Sequence, residues 1–239
     1  ASAISNIHAI EEIVQSRKMA EIGQMAAHLA HDFRSFIALV KQHNQGNELL
    51  LRHAQYMERM VGDLLSYSRP PELKRTAVQV NQLLDFCLER VEIPPHITVE
   101  KHYAPELPRV HLDMHQMQRV FVNLLENSVR AMRTREHGRI KVTTRLLTPV
   151  QKSNPAPWVY IEILDEGVGI PQEFHSRLFE PFFTTYKTEG GNGLGLAIAR
   201  QIVTQHGGYI DFSSGAGKGT AFYIRIPCQS ATDNQTNRE

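Results

Sequence analysis

Three short polar runs follow one another in the second half of the chain: Asn123-Leu-Leu-Glu-Asn127, Asp165-Glu-Gly167-Val-Gly169 and Gly191-Asn-Gly193-Leu-Gly195. Each supplies a different chemical capability. Asn123 and Asn127 stand four apart on a stretch with helical periodicity, His115 to Met132. Their amides therefore project from one face and can hold a hard cation, with Asn127 as the metal ligand. Asp165 ends the apolar run Trp158 to Leu164, and its carboxylate can accept a hydrogen bond from an adenine amine. Gly167 and Gly169 behind it let backbone approach a flat ligand. Gly193 and Gly195 open a helical segment, Leu194 to His206, whose first N–H groups and positive dipole end suit phosphate. Lys187, just upstream, adds a positive charge, as does Arg130 on the asparagine helix. The three runs together imply a site for ATP with a bound cation.

Between the last two runs lies Phe179-Glu-Pro-Phe-Phe-Thr-Thr185. The array of four resembles the N, G1, F and G2 boxes of the ATP-binding domain of sensor histidine kinases, which belongs to the wider Bergerat-fold group. That resemblance implies an α/β sandwich holding Mg-ATP under a flexible lid. It also adds Ile170, Phe183, Thr184, Gly191 and Leu194 to the expected nucleotide-binding residues. In Bergerat ATPases the position matching Asn123 is typically a glutamate that acts as a base toward water. An amide cannot take up a proton at neutral pH, so Asn123 favours transfer over hydrolysis.

Transfer needs an acceptor, and the first third of the chain offers His31, one of 12 histidines. Apolar residues at Ile22, Ala26, Leu29, Phe33, Phe36 and Val40 alternate steps of four and three, a heptad seam. With Leu29 and Phe36 at d, His31 falls at the exposed f position, where a neutral imidazole can act as a nucleophile near pH 7. Asp32 follows directly and can take or orient the ring proton, and Ser35 shares the face of His31. His28, one turn earlier, lacks a following acid. The stretch Ala27 to Phe36 resembles the H box of the same kinases. Phe36 stands where most H boxes carry proline, and Ser35 where they carry Thr or Asn. Asn192 and Tyr186 also depart from the family pattern near the lid.

These residues must be carried by elements that the pattern predicts. A second seam, Leu50, Ala54, Met57, Val61, Leu64 and Ser68, follows the turn residues His43 to Asn47, so the first third reads as a helical hairpin. Each helix has an apolar stripe that one partner would cover poorly, which predicts a homodimeric four-helix bundle. Arg69-Pro70-Pro71 ends the second helix. Beyond it the pattern predicts a helix from Val80 to Val91 capped at Asn81, strands at Ile97 to Lys101 and Arg109 to Leu112, and strands at Ile140 to Leu147 and Trp158 to Leu164. A last hairpin joins Tyr209 to Phe212 with Ala221 to Ile226.

The expected fold is therefore α+β: a dimeric helical hairpin followed by an α/β sandwich of the Bergerat type. Its divisions are a signalling helix at 1–18, the dimerisation and phosphotransfer hairpin at 19–69, and a linker at 70–79. The ATP-binding domain follows at 80–228 and a disordered tail at 229–239.

With 239 residues, 41% of them hydrophobic, the chain can bury a sizeable core, and a net charge of +1 gives no electrostatic case for nucleic acid. Two scattered cysteines, Cys87 and Cys228, suit a reducing cytoplasm rather than a disulfide framework. No apolar run approaches the roughly 18 residues of a membrane span, so no membrane contact is expected of this stretch. It begins inside what reads as a helix, as the interior part of a larger receptor would. The resemblance implies that His31 takes a phosphoryl group from Mg-ATP and passes it to an aspartate of a response regulator. Two other classes would use some of the same residues: a Bergerat ATPase clamp and a non-catalytic dimeric pseudokinase scaffold.

Overall fold

The computed structural model describes residues 37–38, 48–68, 72–148, 157–185 and 193–228. The expectations that fall on His31, Asp32, Ser35, Lys187, Gly191, the hairpin turn and the tail lie outside these residues. The chain divides into two compact units, and the larger comprises Leu73–Phe183 with the residues from Gly195 onward.

In the smaller unit, helix α1 runs from Glu48 to Ser68. Its seam is unevenly covered within one chain: Ala54 is buried, Met57, Val61 and Leu64 are half-buried, and Leu50 is exposed. The Ser68 hydroxyl donates to the Leu65 carbonyl at 3.1 Å in the last turn.

The larger unit is an α/β sandwich. Its strands are β1 (Thr76–Val78), β2 (Ile97–His102), β3 (Val110–Leu112), β4 (Gly138–Leu147), β5 (Trp158–Asp165), β6 (Tyr209–Ser214) and β7 (Thr220–Pro227). Its helices are α2 (Val80–Arg90), α3 (Met114–Ala131) and α4 (Gly195–Gln205), with a 3-10 turn at Gln172–Arg177. Five strands form one mixed sheet in the order β2-β4-β5-β7-β6, with β2 parallel to β4 and the other pairs antiparallel. Along β5 buried and half-buried residues alternate, as expected of a sheet with one covered face. Val159, Ile161 and Ile163 stand beside Ile226, Ile224 and Phe222 of β7, so branched and aromatic side chains pair across the strands. The helices contribute stripes spaced by three and four: Leu83, Leu84 and Cys87 from α2; Met117, Val120, Phe121 and Leu124 from α3; Ile198, Ile202 and Val203 from α4.

Two local expectations change. Helix α2 begins at Val80, and Asn81 does not cap it: its amide donates to the Ala104 carbonyl at 2.9 Å and accepts from the Thr144 hydroxyl at 2.9 Å. Those bonds tie α2 to β4, a use of the side chain that local sequence does not reveal. Thr76–Val78, inside the stretch read as linker, pairs antiparallel with β3 through Thr76 opposite Leu112 and Val78 opposite Val110. Among the described residues no helix is long and apolar enough to cross a membrane.

Candidate functional site

Asp113 starts the functional helix. Its side chain accepts from the Gln116 N–H at 3.1 Å, an N-cap that begins α3 one residue before the sequence pattern suggested. From there 3.6 residues per turn place Phe121, Leu124 and Leu125 in the core, while Asn123 and Asn127 share a half-buried edge and Glu126 faces solvent. Arg130 lies half-buried one turn further on.

Asp165, at the end of β5, is 2% exposed. Its Oδ1 accepts from the backbone N–H groups of Gly167 at 2.9 Å and Thr220 at 3.3 Å, and its Oδ2 from the Ser128 hydroxyl of α3 at 3.2 Å. Burial raises its pKa to about 6, against the pull of those three donors. A carboxylate has about four lone-pair sites, and three are used here. The remaining capacity on Oδ2 can accept from an amine.

The glycines behind Asp165 are demanded first by protein neighbours. A Cβ at Gly167 would lie 2.6 Å from the Ala131 side chain, and Gly169, at φ +69°, would drive one to 2.0 Å from the Gly215 carbonyl. The loop is bolted to α3 and to the β6–β7 turn: the Val168 N–H donates to Ala131, Gly217 donates to Val168, and the Ile170 N–H donates to the Ser214 hydroxyl at 2.8 Å. Arg135 donates to both Gly167 and Gly217 carbonyls. Glu166 is paired with Arg139, an exposed contact of small energetic weight.

Gly195, the first residue of α4, faces α3. A Cβ there would lie 2.2 Å from Oδ1 of Asn123, so the absence of a side chain lets the amide rest on the helix start. Nδ2 of Asn123 is buried with no hydrogen-bond partner. An orphaned buried donor beside a helix N-terminus suits an acceptor-rich group such as phosphate. Gly193 takes φ +67°, and Leu194 is buried. Phe183 packs its ring 5.6 Å from that of Phe174, and Thr184 is half-buried. No cluster of three or more His, Cys, Asp or Glu that could hold a metal exists among the described residues. A cation here would be held by amide oxygens and by the ligand's own phosphates, the arrangement that suits Mg2+.

Sequence reasoning missed Ser128, Thr220, Ser214 and Arg135, which hold the Asp165 loop in place. Their only signals were a hydroxyl directly after Asn127 and the Gly-Thr pair closing a loop read as a plain turn. A second unforeseen group lies at the far end of α3. His206 is 3% exposed; its Nε2 accepts from the Asp113 N–H at 2.9 Å, so Nδ1 carries the proton and donates to the Ile202 carbonyl at 2.8 Å. Burial pushes the His206 pKa down and keeps the ring neutral. For Asp113 burial opposes ionisation, but N–H donation from Lys74, Gln116 and His115 carries the net shift below the ordinary carboxylate range.

Residues 112–230 match the family described as histidine kinase-, DNA gyrase B-, and HSP90-like ATPases. The sensor histidine kinase ZraS of Escherichia coli (strain K12) is 30% identical over 91% of this chain and 48% of its own length. The chain spans about half the length, or less, of the curated relatives it matches. The crystal structure of full-length ShkA in complex with AMPPNP superposes with a TM-score of 0.69 at 21% identity, covering 87% of this chain and 47% of that one, which shows the shared fold. Histidine kinase ThkA, solved in complex with response regulator protein TrrA, aligns with a TM-score of 0.58 at 27% identity over 94% of this chain and 67% of its own. Residues 112–230 therefore belong to that ATPase family, and the chain as a whole is similar to sensor histidine kinases.

Proposed function

We propose that the chain is the catalytic core of a homodimeric sensor histidine kinase that transfers the γ-phosphoryl group of Mg-ATP to His31 and then to an aspartate of a response regulator. The observation that carries the reading is Asp165: a buried carboxylate held by Ser128, Gly167 and Thr220 with acceptor capacity left for an adenine amine. Asn127, with Asn123, would hold Mg2+, which when bound neutralises phosphate charge and orients the transferred group. Arg130 and Lys187 add positive charge. Gly193, Gly195 and the first turn of α4 face the phosphates with backbone N–H groups.

In the transfer, a ring nitrogen of His31 attacks the γ-phosphorus, the bond to the β,γ-bridging oxygen breaks, and ADP departs with that electron pair. Asp32 accepts or orients the ring proton. An amide at position 123 cannot itself take a proton from water, which favours a kinase over an ATPase clamp. The half-exposed seam of α1 supports a homodimer. The response regulator as partner rests on the ThkA neighbour, whose structure was solved with TrrA. Free thiols at Cys87 and Cys228 suit the reducing cytoplasm we assign to this core.

The test is incubation with γ-labelled ATP and Mg2+. We expect acid-labile, base-stable label on the protein that vanishes in His31→Gln and chases onto a receiver domain. Free phosphate without labelled protein would indicate an ATPase instead, and neither product a scaffold.

A further inference from the structure

Helices α3 and α4 touch at two places far apart. At one, Asn123 rests on Gly195; at the other, Asp113 donates its N–H to Nε2 of His206. Asp113 lies ten residues before Asn123 and His206 eleven after Gly195, so each contact is separated from the other by about 15 Å of helix at 1.5 Å per residue. The matching lengths define an antiparallel pair with one register, and a slip of one turn, about 5.4 Å, would break both contacts at once. Both ring nitrogens of His206 are engaged, one with α4's own Ile202 carbonyl, so the imidazole is a fixed spacer between the helices.

Two consecutive residues of the segment that follows α1 in sequence grip the same end. The Lys74 N–H donates to Oδ2 of Asp113 at 2.9 Å, and the Arg75 guanidinium donates to the Gln205 carbonyl at 2.7 Å. One bond holds the cap of α3 and the other a terminal carbonyl of α4, where a cation also meets the negative end of the helix dipole.

We propose that Lys74, Arg75, Asp113 and His206 form a register clamp that sets nucleotide affinity from the end of the helix pair remote from the ligand, with Arg75 and His206 as positioning residues. The proposal rests on reading Asn123 and Gly195 as part of the nucleotide site. When the clamp is closed, Gly195 already abuts Asn123 and the start of α4 is presented to phosphate. When it loosens, only the fraction of molecules in register can bind, and apparent affinity falls by that fraction. Because Lys74 and Arg75 belong to the stretch between α1 and β1, a change in that stretch reaches the nucleotide site through two hydrogen bonds.

The experiment measures binding of a non-hydrolysable ATP analogue with Mg2+ to the full chain and its variants. Arg75 is exposed and, among the described residues, its guanidinium reaches only a backbone carbonyl, so Arg75→Ala should bind about two- to fivefold more weakly, with Tm in the absence of nucleotide unchanged. His206→Leu strands the buried Asp113 N–H and should lose about tenfold, whereas His206→Gln, whose amide oxygen can accept that N–H, should recover most of it. Amide exchange in the first turn of α4 should quicken in Arg75→Ala while α2 stays protected. Unchanged affinity in Arg75→Ala overturns the proposal, as does equal impairment of the Leu and Gln variants. If His206→Leu does not fold, Arg75→Ala decides alone. Wild type that binds no nucleotide removes the functional reading and the clamp with it; wild type that binds, loses binding in Asp165→Asn and is indifferent to Arg75→Ala removes only the clamp.

Discussion

Asn123 and Gly195 meet across α3 and α4 so closely that a single methyl group at 195 would lie 2.2 Å from the amide oxygen. Glycine is a poor helix former, about 1 kcal/mol less favourable than alanine, and here it occupies the first position of a helix. Gly195→Ala should therefore leave Tm within a few degrees of wild type, because the gain in helix propensity offsets the local crowding and the amide end can swing aside. The displaced Asn123 should cost at least about tenfold in affinity for an ATP analogue, a loss of about 1.4 kcal/mol. Calorimetric titration checks this, and wild-type affinity in Gly195→Ala would count against the assigned role of the pair.

Asp165→Asn separates folding from ligand reading. The asparagine oxygen can accept from Gly167 and Thr220 and its amide can donate to Ser128, so all three bonds survive. An adenine amine would then face a donor, and ATP binding should be abolished while the fold remains.

The same carboxylate sets a pH signature of stability. Its pKa is about 6 in the folded protein against 3.8 as the ordinary value, so the folded state holds the proton more tightly. Stability from this group is present below pH 4, falls as pH rises from 4 to 6, and is flat above. The shift corresponds to roughly 3 kcal/mol by which Asp165→Asn should gain on wild type at pH 7, with the two converging below pH 4. Urea melts of both proteins across that range measure the difference.

Nucleotide binding should titrate in the opposite sense. Only the ionised Asp165 has its Oδ2 free to accept without a competing proton, so affinity for MgADP should hold above pH 6 and weaken roughly tenfold per unit below it. Titrations between pH 5 and 8 test this, and a flat profile would show that the carboxylate does not contact the ligand.

Asn81→Ala addresses the scaffold alone. It removes the bonds to Ala104 and Thr144 that join α2 to β4, leaving partners without their mates. The expected loss is about 1 to 3 kcal/mol of stability with unchanged nucleotide affinity, read from a denaturant midpoint and one binding isotherm.

Much of the architecture was legible because it follows from period. The alternation of β5 and the three-and-four stripes of α2, α3 and α4 place each element within a few residues of its observed bounds. Departures arise where a side chain has two possible partners. Asn81 has the chemistry of a cap but bonds to β4, and Thr76–Val78 sits in a proline-led stretch yet completes a ladder with β3. Both outcomes depend on residues distant in sequence.

The amino-acid sequence by itself determined which chemical groups are available and in what order: the amides of Asn123 and Asn127, the carboxylate of Asp165, the glycines around them and the imidazole of His31. Composition and spacing suffice there, since residue type decides what can donate, accept or ligate. Only the tertiary structure decided what each group faces. Gly167 and Gly169 are required by Ala131 and Gly215 before any ligand arrives. Asp165 is raised to about 6 because α3, β5 and β7 together exclude water from it. Likewise His206, which no local pattern singles out, becomes the spacer that puts Gly195 on Asn123, because helix rise converts a match of ten and eleven residues into a contact.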